Sequence, residues 1–136
     1  MTPELTADRY GNPGAFVFAT PMLVALLEET AIQCVAPALE PGAATVGTRL
    51  DVEHKAATPV GLTVTAKARL IEVDRRRLVF EIEASDDREP IASGTRKVSA
   101  HESLCDSFSL AVRTSLTRDS PSPVPRTGNI GTVLAL

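Results

Sequence analysis

The chain has 136 residues, a formal net charge of −3 and 43% hydrophobic residues, with one Tyr, four Phe and no Trp. That is one domain of chain with enough apolar residues for a core; the charge excludes a broad basic surface for nucleic acid, and the scarcity of aromatics excludes a base-stacking platform. Its two cysteines, Cys34 and Cys105, are far apart and form no CxxC pair. Met1-Thr2-Pro3-Glu4 has neither the basic nor the apolar region of a signal peptide, so a cytoplasmic protein with reduced thiols is expected.

Residues 1–15, with the turn cluster Gly11-Asn12-Pro13-Gly14, read as an irregular lead-in. A helix is expected from about Pro21 to Leu39. Thr20 has the chemistry of an N-cap, its hydroxyl able to accept from a free N–H of the first turn. Pro21 fits the first helical position, where its missing N–H is no loss. Pro41-Gly42 closes the helix. Apolar residues run almost all round it, to Ile32, Val35 and Leu39, which predicts a core helix. Glu28, Glu29 and Gln33 interrupt it too much for a membrane span.

Strands follow. Over 44–55, Thr48, Leu50, Val52 and His54 alternate with Arg49, Asp51, Glu53 and Lys55, the pattern of a half-buried strand with His54 at the end of its apolar face. Thr58-Pro59-Val60-Gly61 is a connection. In the next strand Leu62, Val64, Ala66, Ala68 and Leu70 share a face; Ile71 breaks the alternation and predicts a bulge. After a turn at Asp74-Arg75-Arg76, a third strand places Leu78, Phe80, Ile82 and Ala84 on one face. A weaker fourth covers about Ile91 to Ala100. Residues 102–136, with Pro121, Pro123 and Pro125 close together, read as a mostly disordered tail. One domain over 16–101 results: an α+β fold, with one helix lying on the apolar face of a curved sheet of consecutive antiparallel strands. Open sheet edges favour a homodimer.

Three residues stand out for chemistry. Glu28 projects from an apolar stripe between Val24, Ala31 and Ile32. A carboxylate there is costly unless it is paired or has a task; it is either satisfied by backbone groups, turned to solvent, or functional. His54 is a core histidine with a satisfied ring or a member of a site. Thr20 is an N-cap or more than that. The faces bearing Glu28 and His54 must pack together, and an imidazole and a carboxylate converging in apolar surroundings mark a candidate site in which His54 partners Glu28. With only His54 and His101 as histidines, no spacing suggests a metal centre, and no GxSxG, P-loop or GxGxxG is present; no cofactor is expected. Arg75-Arg76-Arg77 is a basic run at a hairpin, either a solvated turn or a contact for a phosphate-bearing ligand.

Taken together, Phe18-Ala19-Thr20, Leu27-Glu28, Pro37-x-Leu39-Glu40-Pro41-Gly42, Val46-Gly47-Thr48 and His54-x-Ala56-Ala57-Thr58-Pro59-x-Gly61-Leu62-Thr63-Val64 resemble the fluoroacetyl-CoA thioesterase group of hot-dog-fold proteins, over about residues 14–98. The resemblance implies an acyl-CoA thioesterase acting as a hot-dog dimer on a small acyl-CoA thioester. It implies Thr20, Glu28 and His54 as the catalytic set and Gly47 as a residue lining the substrate pocket. The chain lacks the family's usual first strand. It has Gly11-Asn12-Pro13-Gly14 where the family carries a bulky lid segment, so specificity for a fluorinated acyl group is not implied. The alternatives are a non-catalytic acyl-CoA or small-ligand binding protein that keeps the pocket, and a purely structural hot-dog dimer.

Overall fold

The computed structural model describes residues 1–39, 44–100 and 131–136. Its one α-helix, α1 (Thr20–Val35), is followed by a 3-10 turn, Ala36–Ala38. Five strands follow: β1 (Thr45–His54), β2 (Thr65–Asp74), β3 (Arg77–Ser85), β4 (Pro90–Ala100) and β5 (Gly131–Ala135). They form one antiparallel sheet in the order β1-β4-β3-β2-β5. No strand precedes α1 among the described residues. The lead-in instead forms two 3-10 turns, Pro3–Leu5 and Ala7–Tyr10.

α1 lies on one face of the sheet, against β2, β5, β3 and β1. Leu23, Leu26, Leu27, Ala31, Cys34 and Val35 recur at helical spacing and are buried against Ala66, Ala68, Leu78, Phe80, Ile82, Ala84, Ile91 and Val98. Leu78, Phe80, Ile82 and Ala84 of β3 are buried as the period-two reading expects, but Val79 between them is buried too. The helix is not enclosed on every side as its composition suggests: Pro21, Ala25, Glu29, Ile32 and Gln33 are exposed. It also ends earlier than expected. Pro37 has no N–H to continue the ladder, so the chain tightens into the 3-10 turn. The expected stop at Pro41-Gly42 lies outside the described residues.

Two further differences bear on the site. β1 does not pair with β2, its successor in sequence, but with β4, beyond which it ends the sheet among the described strands. The connection over 55–64 crosses the start of α1: the Phe18 N–H donates to the Thr58 carbonyl at 2.8 Å, and the buried Thr58 hydroxyl donates to Asp86 Oδ2 at 2.9 Å in the β3–β4 turn. Most of the tail expected over 102–136 lies outside the described residues, but its end is not irregular. Gly131–Ala135 pairs with β2 as β5, from Arg69↔Gly131 to Thr65↔Ala135. The bulge expected near Ile71 is present between Leu70 and Glu72.

Candidate active site

α1 opens at Thr20, with Ala19 in the N-cap position and no side-chain cap bond. The expectation of a Thr20 N-cap is therefore corrected: the threonine is itself the first helical residue. Its hydroxyl turns to His54, Oγ1 lying 2.9 Å from Nδ1. His54 is the last residue of β1, and its side chain projects from the face of the sheet on which α1 lies, which brings it to the helix start. Its Nε2 is buried and has no hydrogen-bond partner among the described residues. Burial removes water from the ring and lowers the imidazole pKa, partly offset by a backbone bond at Ala56. His54 is therefore held neutral at neutral pH. A cleft of about 330 Å³ opens beside the pair, lined among others by Tyr10, Phe18, Pro21 and Lys55.

Glu28 lies elsewhere. Eight residues of helix separate it from Thr20, a rise of roughly 12 Å, and its side chain is 37% exposed. Its partner is Arg96, whose Nε donates to Oε1 at 2.8 Å; the expected pairing of Glu28 with His54 within one chain is not found. Gly47 faces the same carboxylate. A Cβ at Gly47 would sit 3.3 Å from Oε1 and 3.7 Å from Oε2 of Glu28, and 3.4 Å from Arg96 Nη2. The strict alternation read for β1 puts Thr48 inward, but the register shifts between Gly47 and Arg49. Thr48 is the extra residue of a bulge and is exposed. The bulge reverses the facing, so Gly47 approaches the helix on the same side as Leu50, Val52 and His54.

The chain thus carries two half-sites on one side of the sheet: Thr20 with His54 at the start of α1, and Glu28 with Arg96 and Gly47 at its middle. Arg96 is the residue that sequence reasoning missed. The signal was there, since Ala92, Gly94 and Val98 place position 96 on the core face of β4, where an arginine is out of keeping with its neighbours. Of the basic run 75–77, Arg77 is engaged in ion pairs with Glu72 and Asp74 across the hairpin turn. Among the described residues no cluster of three or more His, Cys, Asp or Glu could hold a metal ion.

The profile of the fluoroacetyl-CoA-specific thioesterase family matches residues 1–99. The chain belongs to that family. A fluoroacetyl-CoA thioesterase from Streptantibioticus cattleyicolor is 47% identical over 81 residues, 60% of this chain and 58% of that protein; the chain thus spans under two thirds of that relative's length. Among solved structures, a variant of the fluoroacetyl-CoA-specific thioesterase FlK in complex with fluoroacetate and CoA superposes with a TM-score of 0.69 at 38% identity, covering 74% of this chain and 86% of that one. A thioesterase-superfamily member from Thermus thermophilus superposes with a TM-score of 0.68 at 24% identity, covering 87% and 86%. A hot-dog-like protein from Thermanaerovibrio acidaminovorans gives 0.68 at 19% identity, covering 90% and 87%. The last two bear on the fold alone. The architecture of this fluoroacetyl-CoA-specific thioesterase family member is the hot-dog fold, a helix cradled by an antiparallel sheet.

Proposed function

We propose that the chain is an acyl-CoA thioesterase, hydrolysing the thioester of a small acyl-CoA to the free acid and CoA as a cytoplasmic homodimer. The observation that carries this reading is the Thr20–His54 contact, a hydroxyl and a neutral imidazole 2.9 Å apart at a helix N-terminus that borders a cleft. With Nδ1 donating to Oγ1, the threonine O–H is free for the carbonyl oxygen of a thioester, and the positive end of α1 favours the negative charge that develops there. The same tautomer leaves a lone pair on the buried, unpartnered Nε2, suited to take a proton from water. A histidine kept neutral works as this base better than as the proton donor to a departing thiolate.

Glu28 supplies the carboxylate. Its Oε2 attacks the acyl carbon, the carbon–sulfur bond breaks, and CoA leaves as thiolate, which takes up a proton. Water, deprotonated by His54 Nε2, then attacks the resulting anhydride and releases the acid and the free carboxylate. The roughly 12 Å rise along α1 keeps Glu28 from the Thr20–His54 pair of its own chain. In the homodimer, Glu28 of the partner subunit meets that pair. β1 is an open edge strand, and Val46 on it and Ile32 on α1 are 58% and 42% exposed, which suits an isologous contact between two copies.

Release of free thiol from acetyl-, fluoroacetyl-, propionyl- and butyryl-CoA tests the activity. Turnover of at least one of them is expected, lost by about three orders of magnitude in Glu28→Gln with the fold retained. Glu28→Gln with full activity would remove the carboxylate from the mechanism. A wild-type protein that is stabilised by acyl-CoA but turns none over would be a binding protein instead.

A further inference from the structure

Arg96 is the largest fully buried side chain among the described residues, 1% exposed. It stands on the core face of β4, between Leu50 of β1 and Phe80 of β3 in register. A guanidinium has five N–H donors. Nε is satisfied by Glu28 Oε1 at 2.8 Å, while Nη1 is buried with no partner among the described residues. As a purely structural arrangement this is poor. A buried ion pair contributes little to stability, an apolar side chain of similar volume serves at least as well, and an unsatisfied buried donor is a further penalty. The pair is also lopsided: the arginine is fully enclosed and the glutamate opens to the surface, at 2% and 37% side-chain exposure. The arginine is the fixed member and the carboxylate is the one presented outward.

We propose that Arg96 is a positioning residue that fixes Glu28 by Oε1 and so presents Oε2 as the reacting oxygen. This rests on the reading of Glu28 as the reacting carboxylate. The guanidinium stands between β1 and β3 and cannot follow the glutamate outward, so the Nε–Oε1 bond anchors the carboxylate by that oxygen. Oε2 takes no bond from Arg96 Nε. Gly47 completes the arrangement by omission. Its Cβ would lie 3.3 Å from the Arg-bound Oε1, 3.4 Å from Arg96 Nη2 and 3.7 Å from Oε2, so a side chain there would press on the ion pair itself. The bulge at Thr48 is what turns this bare backbone toward the carboxylate. An arginine is suited to the task because its charge is permanent and its fork is planar; a lysine supplies the charge as a point on a flexible stem.

The test is steady-state kinetics of the dimer on the best substrate of the panel, for wild type, Arg96→Met, Arg96→Lys and Glu28→Gln, with melting temperature measured alongside. Arg96→Met is expected to keep the fold, to lose at least roughly tenfold in kcat and to keep KM within about twofold, the signature of an interaction used in the transition state rather than in binding. Arg96→Lys is expected to recover only part of that loss. Millimolar ethylguanidinium is expected to raise kcat of a further variant, Arg96→Ala, whose missing side chain leaves room for it, and to leave Arg96→Lys unchanged, a response that a packing role would not give. Wild-type kcat in a folded Arg96→Met, with Glu28→Gln inactive, overturns this proposal and leaves the role of Glu28 standing. Full activity of Glu28→Gln overturns both. If Arg96→Met does not fold, Arg96→Lys decides by the same split of kcat from KM; failure of both to fold makes Arg96 structural and overturns the proposal.

Discussion

His54 owes its chemistry to a small displacement of water. The ring sits at the end of β1 beneath the start of α1, one nitrogen against Thr20 and the other buried. The imidazolium form loses hydration there and meets no carboxylate among the described residues of its own chain, so its pKa falls below the ordinary value. The sign of the consequence follows from proton counting. Between the folded pKa and the unfolded value of about 6.5, the unfolded chain binds a proton that the native chain refuses. His54 therefore removes stability as pH falls below about 6.5, and the loss levels off beneath the folded pKa. For a base the same shift is useful. kcat/KM is expected to be flat from neutral pH upward and to fall on acidification along a limb centred below about 6.5. A pH series of initial rates, with melting temperatures at each pH, checks both statements. A limb centred above that value would mean that a nearby charge, not burial, governs the ring.

At the scale of elements, the site depends on how closely β1 lies against β4, its one neighbour among the described strands. Gly94 makes that approach possible. A Cβ at Gly94 would run into the Asp51 carbonyl oxygen and would come within 2.9 Å of Val52 Cα, backbone atoms that cannot swing aside. Gly94→Ala is expected to lever β1 off the sheet and to reduce stability by roughly 3 kcal/mol or more, as strain against backbone does. Urea denaturation measures this, and an unchanged midpoint would be incompatible with so close a contact. Such features also mark how far the sequence could be read. Strands buried on one face announce themselves by alternation, so Leu78, Phe80, Ile82 and Ala84 locate β3, and the break at Ile71 locates its neighbour's bulge. The bulge at Thr48 was silent because Gly47 has no side chain to say which way it faces. The pairing of β1 with β4 was hidden as well, since a ten-residue connection over 55–64 can lead to either edge. Thr20 satisfied the local rule for a cap; only His54, remote in sequence, gives its hydroxyl another partner.

The whole molecule raises the question of why one chain holds two half-sites. Thr20 and His54 meet at the start of α1, and Glu28, bonded to the buried Arg96 and faced by Gly47, lies further along the helix. In the proposed homodimer, a two-fold axis running between them would bring each half-site against the complementary half of the other copy, because an isologous contact pairs i with j and j with i. Each dimer then has two complete sites, and each site draws on both chains. This arrangement has a consequence that a site within one chain cannot share. His54→Ala and Glu28→Gln homodimers are each expected to be inactive. When the two are mixed under conditions that exchange subunits, half of the dimers are hybrids. In every hybrid, one site pairs the intact His54 of the Glu28→Gln subunit with the intact Glu28 of the His54→Ala subunit, while the other site carries both lesions. Random exchange therefore restores activity to roughly a quarter of wild type, and tagging the two chains to isolate hybrids raises it to roughly half. Free-thiol release before and after exchange measures the recovery. If the mixture stays inactive while the tags prove that hybrids have formed, Thr20, His54 and Glu28 act within one chain, which would require α1 to present Glu28 to its own His54 by a movement of about 12 Å along the helix.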